Sequence, residues 1–351
     1  MDEPPGNPTG AHRAARAARR RLDDARDVIA ELAGAEPGQV VFTSGGTEAD
    51  ALAVLGVLDA VGGRSLCSAV EHAAVLEPVR RRHGTTIGVD GAGRIDLDAL
   101  AAALDDDVSL VSVMAANNET GVVQPVAEVV DVVRSRAPRA VVHTDAVQAA
   151  AWRALPEVTA GCDLVSLSAH KLGGPPGVGA LVVGDAVTLA ARSLGGGQER
   201  ERRAGTQDVP GAVGFAAAAR AVLDAAPTEA RRVAALRDDL VDCLEAEVPG
   251  LVRTVPEGVG VLPSIAHVCV PGVDSESLVF LLDRADVAVS AASSCSSGAA
   301  QASHVLAAMG VDPELARGAL RLSLGWSTTT DEIDEAVEAV ATVVERLRAS
   351  T

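Results

Sequence analysis

Lysine is almost missing from this chain: of its 30 lysine and arginine residues, only Lys171 is a lysine. Arginine replaces lysine freely as a surface cation, but a guanidinium cannot form a Schiff base with an aldehyde, whereas a desolvated amine can. A solitary lysine therefore reads either as one survivor of biased usage or as amine chemistry at position 171. Long apolar runs are also lacking. None reaches the roughly 18–20 uninterrupted residues of a membrane-spanning helix, and the N-terminus has neither the basic start nor the apolar stretch of a secretory signal, so a cytoplasmic protein is expected. Paired cysteines are absent. Cys67, Cys162, Cys243, Cys269 and Cys295 form no Cys-x-x-Cys, which argues against a disulfide framework and a structural zinc site, and no metal is expected. Positive charge is in deficit: a net charge of -18 would repel phosphate backbones over most of the surface, which argues against nucleic acid as a direct ligand. There is no internal repeat and no low-complexity linker.

What is present fits a protein of two unequal domains, since 351 residues are too many for one compact core. Short β-branched runs alternate with longer Ala-rich amphipathic stretches, the pattern of an α/β fold with a mostly parallel sheet. Strands are predicted at Val40 to Thr43, Arg64 to Ala69, Thr85 to Val89, Ser109 to Met114, Ala140 to Thr144, Asp163 to Leu167 and Gly179 to Val183. Helices are predicted at His12 to Leu32, Thr47 to Leu58, Leu97 to Leu104 and Val126 to Arg136. After about Ala225 the texture changes to a long charged helix, Thr228 to Glu247, then strands near Ile265 to Val270 and Arg321 to Leu324, and a last helix from Thr330 to Arg348. The expected division is residues 1–225 and 226–351.

Three stretches carry chemistry. Ser44-Gly45-Gly46-Thr47-Glu48 follows a strand and opens a helix, so its amides and the Thr47 hydroxyl would face a bound anion. It matches neither the dinucleotide fingerprint nor a P-loop, so a single phosphate fits it better, although such turns also serve as plain connections. Asp145 and Gln148 lie at one strand end, where an acid either caps a helix or keeps a pyridine nitrogen protonated so that the ring becomes an electron sink. The next strand runs into Ser168-Ala169-His170-Lys171, which sets an acid and the only lysine at neighbouring strand ends. Cys295 lies in Ser290 to Ala300, a run of small residues without apolar periodicity, where a thiol can reach a substrate. The other four cysteines sit in or beside apolar runs, and core packing is expected for each.

These residues resemble the cysteine desulfurase family, the NifS and IscS type among fold-type I pyridoxal-phosphate enzymes. The resemblance runs from Gly6-Asn7-Pro8-Thr9-Gly10-Ala11-His12 through Glu71-His72, Asn117-Asn118-Glu119-Thr120-Gly121 and Ser168-Ala169-His170-Lys171 to Ser303-His304-Val305-Leu306 and Arg321-Leu322-Ser323-Leu324-Gly325. It implies a large domain with a seven-stranded, mostly parallel sheet and a smaller C-terminal α+β domain carrying the cysteine loop. It implies that Lys171 holds pyridoxal 5'-phosphate as a Schiff base, that Asp145 pairs with the pyridinium nitrogen, that Gln148 bonds the ring hydroxyl, and that His72 stacks on the ring. Gly46, Thr47, Ser168 and His170 would hold the phosphate, with Thr206 donated across a homodimer, and Asn118 and Arg321 would grip the substrate carboxylate.

The implied reaction converts L-cysteine to L-alanine and leaves a persulfide on Cys295 for an acceptor protein or scaffold. Iron-sulfur clusters, thiolated transfer RNA, sulfur-containing cofactors and specialised metabolites all draw on such sulfur. Four departures from the family pattern stand out: only Met1 to Pro5 precede Gly6, where relatives carry a further segment with Asn-Ala-Thr-Thr; Glu201 stands where glycine is usual, Ala204 where serine is usual, and Pro176 where lysine is common. The alternatives are another reaction on the same scaffold, such as selenocysteine lysis, C–S lysis or transamination, or a non-catalytic partner in a sulfur-transfer complex.

Overall fold

The computed structural model describes residues 6–291 and 303–349, the side chains of residues 226 and 227 apart. Cys295 and nearly all of its loop lie outside the described residues. The chain divides into two compact units. The first comprises residues 1–87, 97–115 and 125–226; the second comprises 88–96, 116–124 and 227–351.

The first unit is built on seven strands: β1 (Val40–Thr43), β2 (Arg64–Ser68), β3 (Thr85–Ile87), β4 (Val108–Ser112), β5 (Val141–Asp145), β6 (Leu164–Ser168) and β7 (Gly179–Val183). Their order in the sheet is β1-β7-β6-β5-β4-β2-β3. All neighbours from β6 to β3 pair in parallel, and β7 runs antiparallel to both β1 and β6. The expected mostly parallel sheet is present. The reversal at β7 has a simple cause: the connection from Ala169 to Val178 is shorter than the roughly dozen-residue crossover that parallel pairing needs.

Helices α1 (Arg13–Ala33), α2 (Gly46–Val61), α3 (Ala73–Arg81), α4 (Leu97–Ala103), α5 (Val126–Arg136) and α6 (Leu155–Val158) alternate with the strands. Helix α2 is apolar nearly all round: Leu52, Ala53, Val54 and Val57 pack with Val41, Leu110, Leu164 and Leu181 in one buried cluster. Burying each of these larger side chains contributes about 1.5–3 kcal/mol. Helix α3 is the element the sequence pattern hid, because Pro78 lies inside it and reads as a breaker. The helical run α7 (Val209–Glu247) has two segments, Val209–Ala225 and the predicted Thr228–Glu247; the first, where Phe215 and Ala219 are fully buried, was not predicted.

Strand β1 is an edge, and a buried ion pair closes it. Glu199 accepts the Phe42 amide at 2.9 Å, Arg26 donates to the Val40 carbonyl at 2.6 Å, and the two side chains meet in a bidentate pair at 2.7 and 2.9 Å. Burial by itself would raise the Glu199 carboxyl, but Arg26, Gln207 and the Phe42 amide outweigh it and hold it below its ordinary value. Reaching that position bends the chain into three consecutive left-handed residues, Glu199, Arg200 and Glu201, with φ of 46°, 55° and 65°. Only glycine adopts this region without strain, so Glu201→Gly is expected to raise stability by about 0.5–1 kcal/mol after the added flexibility of the unfolded chain is deducted. A higher urea midpoint at unchanged slope would show it, and a lower midpoint would contradict the strain.

The second unit has a three-stranded antiparallel sheet, β10-β9-β8, from β8 (Val252–Arg253), β9 (Ile265–Cys269) and β10 (Ala319–Ser323). With it go α8 (Ser275–Asp283), α9 (His304–Ala308), α10 (Pro313–Ala316) and the amphipathic α11 (Thr330–Ala349). Residues 88–96 and 116–124 are contributed to this unit from within the sheet-forming part of the chain. No single helix among the described residues is long and apolar enough to cross a membrane.

Core packing holds for two of the four cysteines expected to show it. Cys67 and Cys269 are buried, Cys162 is half-buried, and Cys243 is exposed. On α7 the inward stripe runs through Leu236, Leu240, Val241 and Leu244, and position 243 falls outside it.

Candidate active site

Strand ends of the first unit gather most of the residues picked out from the sequence. The turn from β1 into α2 begins the set. Gly45 caps α2 without any side-chain bond to the helix amides, so the positive end of a 16-residue helix is left for an external anion. Only glycine fits at position 46, where a Cβ would lie 2.8 Å from Val147 Cγ2 and 3.5 Å from Ser168 Cβ. Glu48 fixes the turn by accepting the Ser44 amide at 2.6 Å and Arg203 Nε at 2.8 Å. Burial would raise its carboxyl, but Arg203 and Ser44 outweigh that and keep it ionised. Thr47 is exposed beside this cradle.

Strand β6 ends in Ser168, whose hydroxyl meets His170 Nδ1 at 2.9 Å. Lys171 follows on a short 3-10 turn and is exposed, as is His170. Burial and the adjacent Lys171 charge both lower the His170 imidazole, so it stays neutral and able to share a proton with Ser168.

Asp145 ends β5 and is buried. Its Oδ1 accepts the Val147 amide at 2.9 Å, so it caps the local turn as well as facing the site. Gln148 lies half-buried just beyond. Burial raises the Asp145 carboxyl above its ordinary value, and the Val147 amide and the charges of His72 and Lys171 offset this only in part. His72 itself caps α3, with Nδ1 accepting the Ala74 amide at 3.1 Å, which fixes its ring orientation. The mutual electrostatic influence of Asp145, His72 and Lys171 places acid, imidazole and amine in one neighbourhood.

Beneath Asp145 is a buried polar layer that the sequence did not disclose. Asp50, on α2, is nearly solvent-free, and its Oδ1 lies 3.6 Å from His143 Nε2. His143 bonds Ser112 Oγ at 2.8 Å and Ser166 Oγ at 2.9 Å, and burial drives its imidazole down to about 3, so it is neutral. Burial and the Asp145 charge push the Asp50 carboxyl well above its ordinary value, so Asp50 keeps its proton and Asp145 carries the charge of the pair. Glu71, whose Oε1 accepts the Met114 amide at 2.6 Å, is likewise raised by burial and by Asp145. An acid in the middle of an apolar helix was the one available signal for Asp50.

The remaining site residues lie elsewhere. Thr206 is exposed in the segment before α7. Asn118 and Arg321 belong to the second unit, where Arg321 Nη1 donates to the Asn118 carbonyl at 3.0 Å. Cys295 lies outside the described residues. No cluster of three His, Cys, Asp or Glu side chains suited to a metal occurs among the described residues.

A family model for class-V aminotransferases matches residues 4–336. An IscS-like cysteine desulfurase of Mycobacterium tuberculosis is 41% identical, covering 98% of this chain and 90% of that protein. The chain belongs to the cysteine desulfurase family of the class-V aminotransferases. A cysteine desulfurase of Cereibacter sphaeroides is 43% identical over the same shares, 98% and 90%. Among solved structures, a NifS-like protein superposes with a TM-score of 0.90 at 33% identity, covering 97% of this chain and 92% of that one. Membership of this family implies pyridoxal phosphate, and the first unit fits it: an uncapped helix start over a position that excludes a Cβ, a buried carboxylate, an oriented imidazole and the only lysine.

Proposed function

We propose that this chain takes sulfur from L-cysteine, holding pyridoxal phosphate through Lys171 and receiving the sulfur on Cys295. The observation that carries the proposal is the convergence of Lys171, Asp145 and His72 at the ends of β6 and β5 and the start of α3, beside the open start of α2. When bound, the cofactor supplies an electron sink for charge developing at the substrate Cα.

Each residue then has a defined task. Gly46, Thr47, Ser168 and His170 bind the phosphate, with Thr206 added across a homodimer. Asp145 accepts the pyridine N–H, Gln148 bonds the ring hydroxyl and His72 covers the ring face. Lys171 would anchor the cofactor through its amine and serve as the base that takes the Cα proton. Asn118 and Arg321 bind the substrate carboxylate, a role suited to the forked guanidinium. The Cys295 thiolate attacks the substrate sulfur: an S–S bond forms, the C–S bond breaks with its electron pair left on carbon, and protonation there, with return of a proton to Cα, gives alanine. The persulfide then serves an acceptor protein or scaffold, with iron-sulfur cluster assembly among its uses, in the cytoplasm.

Incubation with cysteine followed by peptide mass spectrometry tests this. One sulfur atom added to the Cys295 peptide, with alanine in solution, is the expected result. Pyruvate and free sulfide with an unmodified Cys295 peptide would overturn it in favour of elimination.

A further inference from the structure

In the second unit, residues 116–124 form a rigid turn around Asn117. Its Oδ1 accepts the amides of Glu119 and Thr120 at 2.9 Å each and the Thr120 hydroxyl at 3.1 Å. Gly121 closes the turn with φ of +77°, a conformation that favours glycine. The turn presents two groups. Asn118 offers its carbonyl to Arg321 Nη1, and Glu119 turns its carboxyl into the interior, where it is 6% exposed. Glu119 Oε2 accepts the Ser303 hydroxyl at 2.5 Å, and that same Oγ accepts the Leu306 amide at 3.2 Å, capping α9.

Arg321 is fixed from both sides. It sits in β10 opposite His267 of β9, and its backbone exchanges two hydrogen bonds with Ser290, at 2.9 and 3.1 Å. Its Nε is buried without a hydrogen-bond partner among the described residues, and so is His267 Nε2, whose other nitrogen meets Thr254 Oγ1 at 2.6 Å. The guanidinium thus retains donor capacity, and Glu119 is the acid that feels its charge.

We propose that Glu119, next to the Asn118 carbonyl that holds Arg321, is the proton-linked counter-charge that a substrate carboxylate displaces. The inference rests on the reading that Arg321 takes that carboxylate. Burial raises the Glu119 carboxyl to about 7, against the opposing effects of the Ser303 hydroxyl and the Arg321 charge. An anion arriving on Arg321 cancels the field that favours ionised Glu119, so Glu119 takes up a proton as the anion binds. Burial with the Arg321 charge lowers His267, which lies opposite Arg321, to about 4, so it remains neutral. His304, beside Ser303 on α9, is exposed.

The sign follows from linkage. Binding that takes up a proton weakens as pH rises through the free-state value, by about tenfold between pH 6 and pH 8. The probe is 3-mercaptopropionate, which has the thiol and carboxylate of the substrate but no amine to react with the cofactor. Calorimetry of the cofactor-loaded protein at pH 7, in two buffers of different ionisation enthalpy, counts the protons. Wild type is expected to take up about half a proton, and Glu119→Gln close to none with an affinity that no longer varies with pH. Ser303→Ala, which removes the donor to Glu119 together with the cap of α9, is expected to move the midpoint of the pH dependence upward. Unchanged proton uptake in Glu119→Gln would overturn the assignment of Glu119. Unchanged probe affinity in Arg321→Leu would instead overturn the reading of Arg321 on which it rests.

Discussion

Lys171→Arg is expected to lower cysteine turnover by about 10³-fold or more, on the scale set by losing a positioned general base together with a covalent anchor. The substitution keeps the positive charge beside Asp145 and His170, so neither the folded chain nor the phosphate cradle is put at risk. What it removes is the nucleophilic amine, since a guanidinium stays protonated at any pH the protein survives. The first unit's other groups should still bind the cofactor. Borohydride treatment of wild type is therefore expected to fix the cofactor to the peptide containing Lys171, while the arginine variant loses the cofactor on denaturation. Turnover within tenfold of wild type would remove Lys171 from the chemistry. Because the chain has a single lysine, no second side-chain amine exists to rescue the variant, and the experiment has an unusually clean background.

The strands were legible because burial on both faces of a sheet demands β-branched runs. Val40–Thr43 and Gly179–Val183 are found with the predicted bounds. What escaped the sequence depended on competition or on convergence. Pro78 made α3 look broken, and the antiparallel course of β7 follows from the length of a connection rather than from any pattern within the strand. The reactive set was visible for a local reason: Asp145 and Lys171 each follow a strand, and strand ends are where α/β sheets bind ligands. The layer under Asp145 was not, because Asp50 on α2, His143 on β5 and Ser166 on β6 meet only once the helix packs on the sheet. The same holds for Glu119 and Ser303, 184 positions apart in the chain and 2.5 Å apart in space.

Cys295→Ala is expected to abolish sulfur transfer to protein, a loss of about 10³-fold or more, while cofactor binding and its pH behaviour stay as in wild type. The other thiols are poor substitutes. Burial raises Cys67 and Cys269, and pushes Cys162 up to about 12, so none of the three offers a thiolate near neutral pH. Cys243 is the one described thiol on the surface, which makes Cys243→Ala the appropriate control, expected to transfer sulfur at the wild-type rate. The comparison also separates the rival reactions, because elimination or transamination needs only Lys171 and its surroundings and would survive loss of Cys295. Sulfur transfer that persists in Cys295→Ala and disappears in Cys243→Ala would overturn the assignment of Cys295 and move the receiving thiol onto α7.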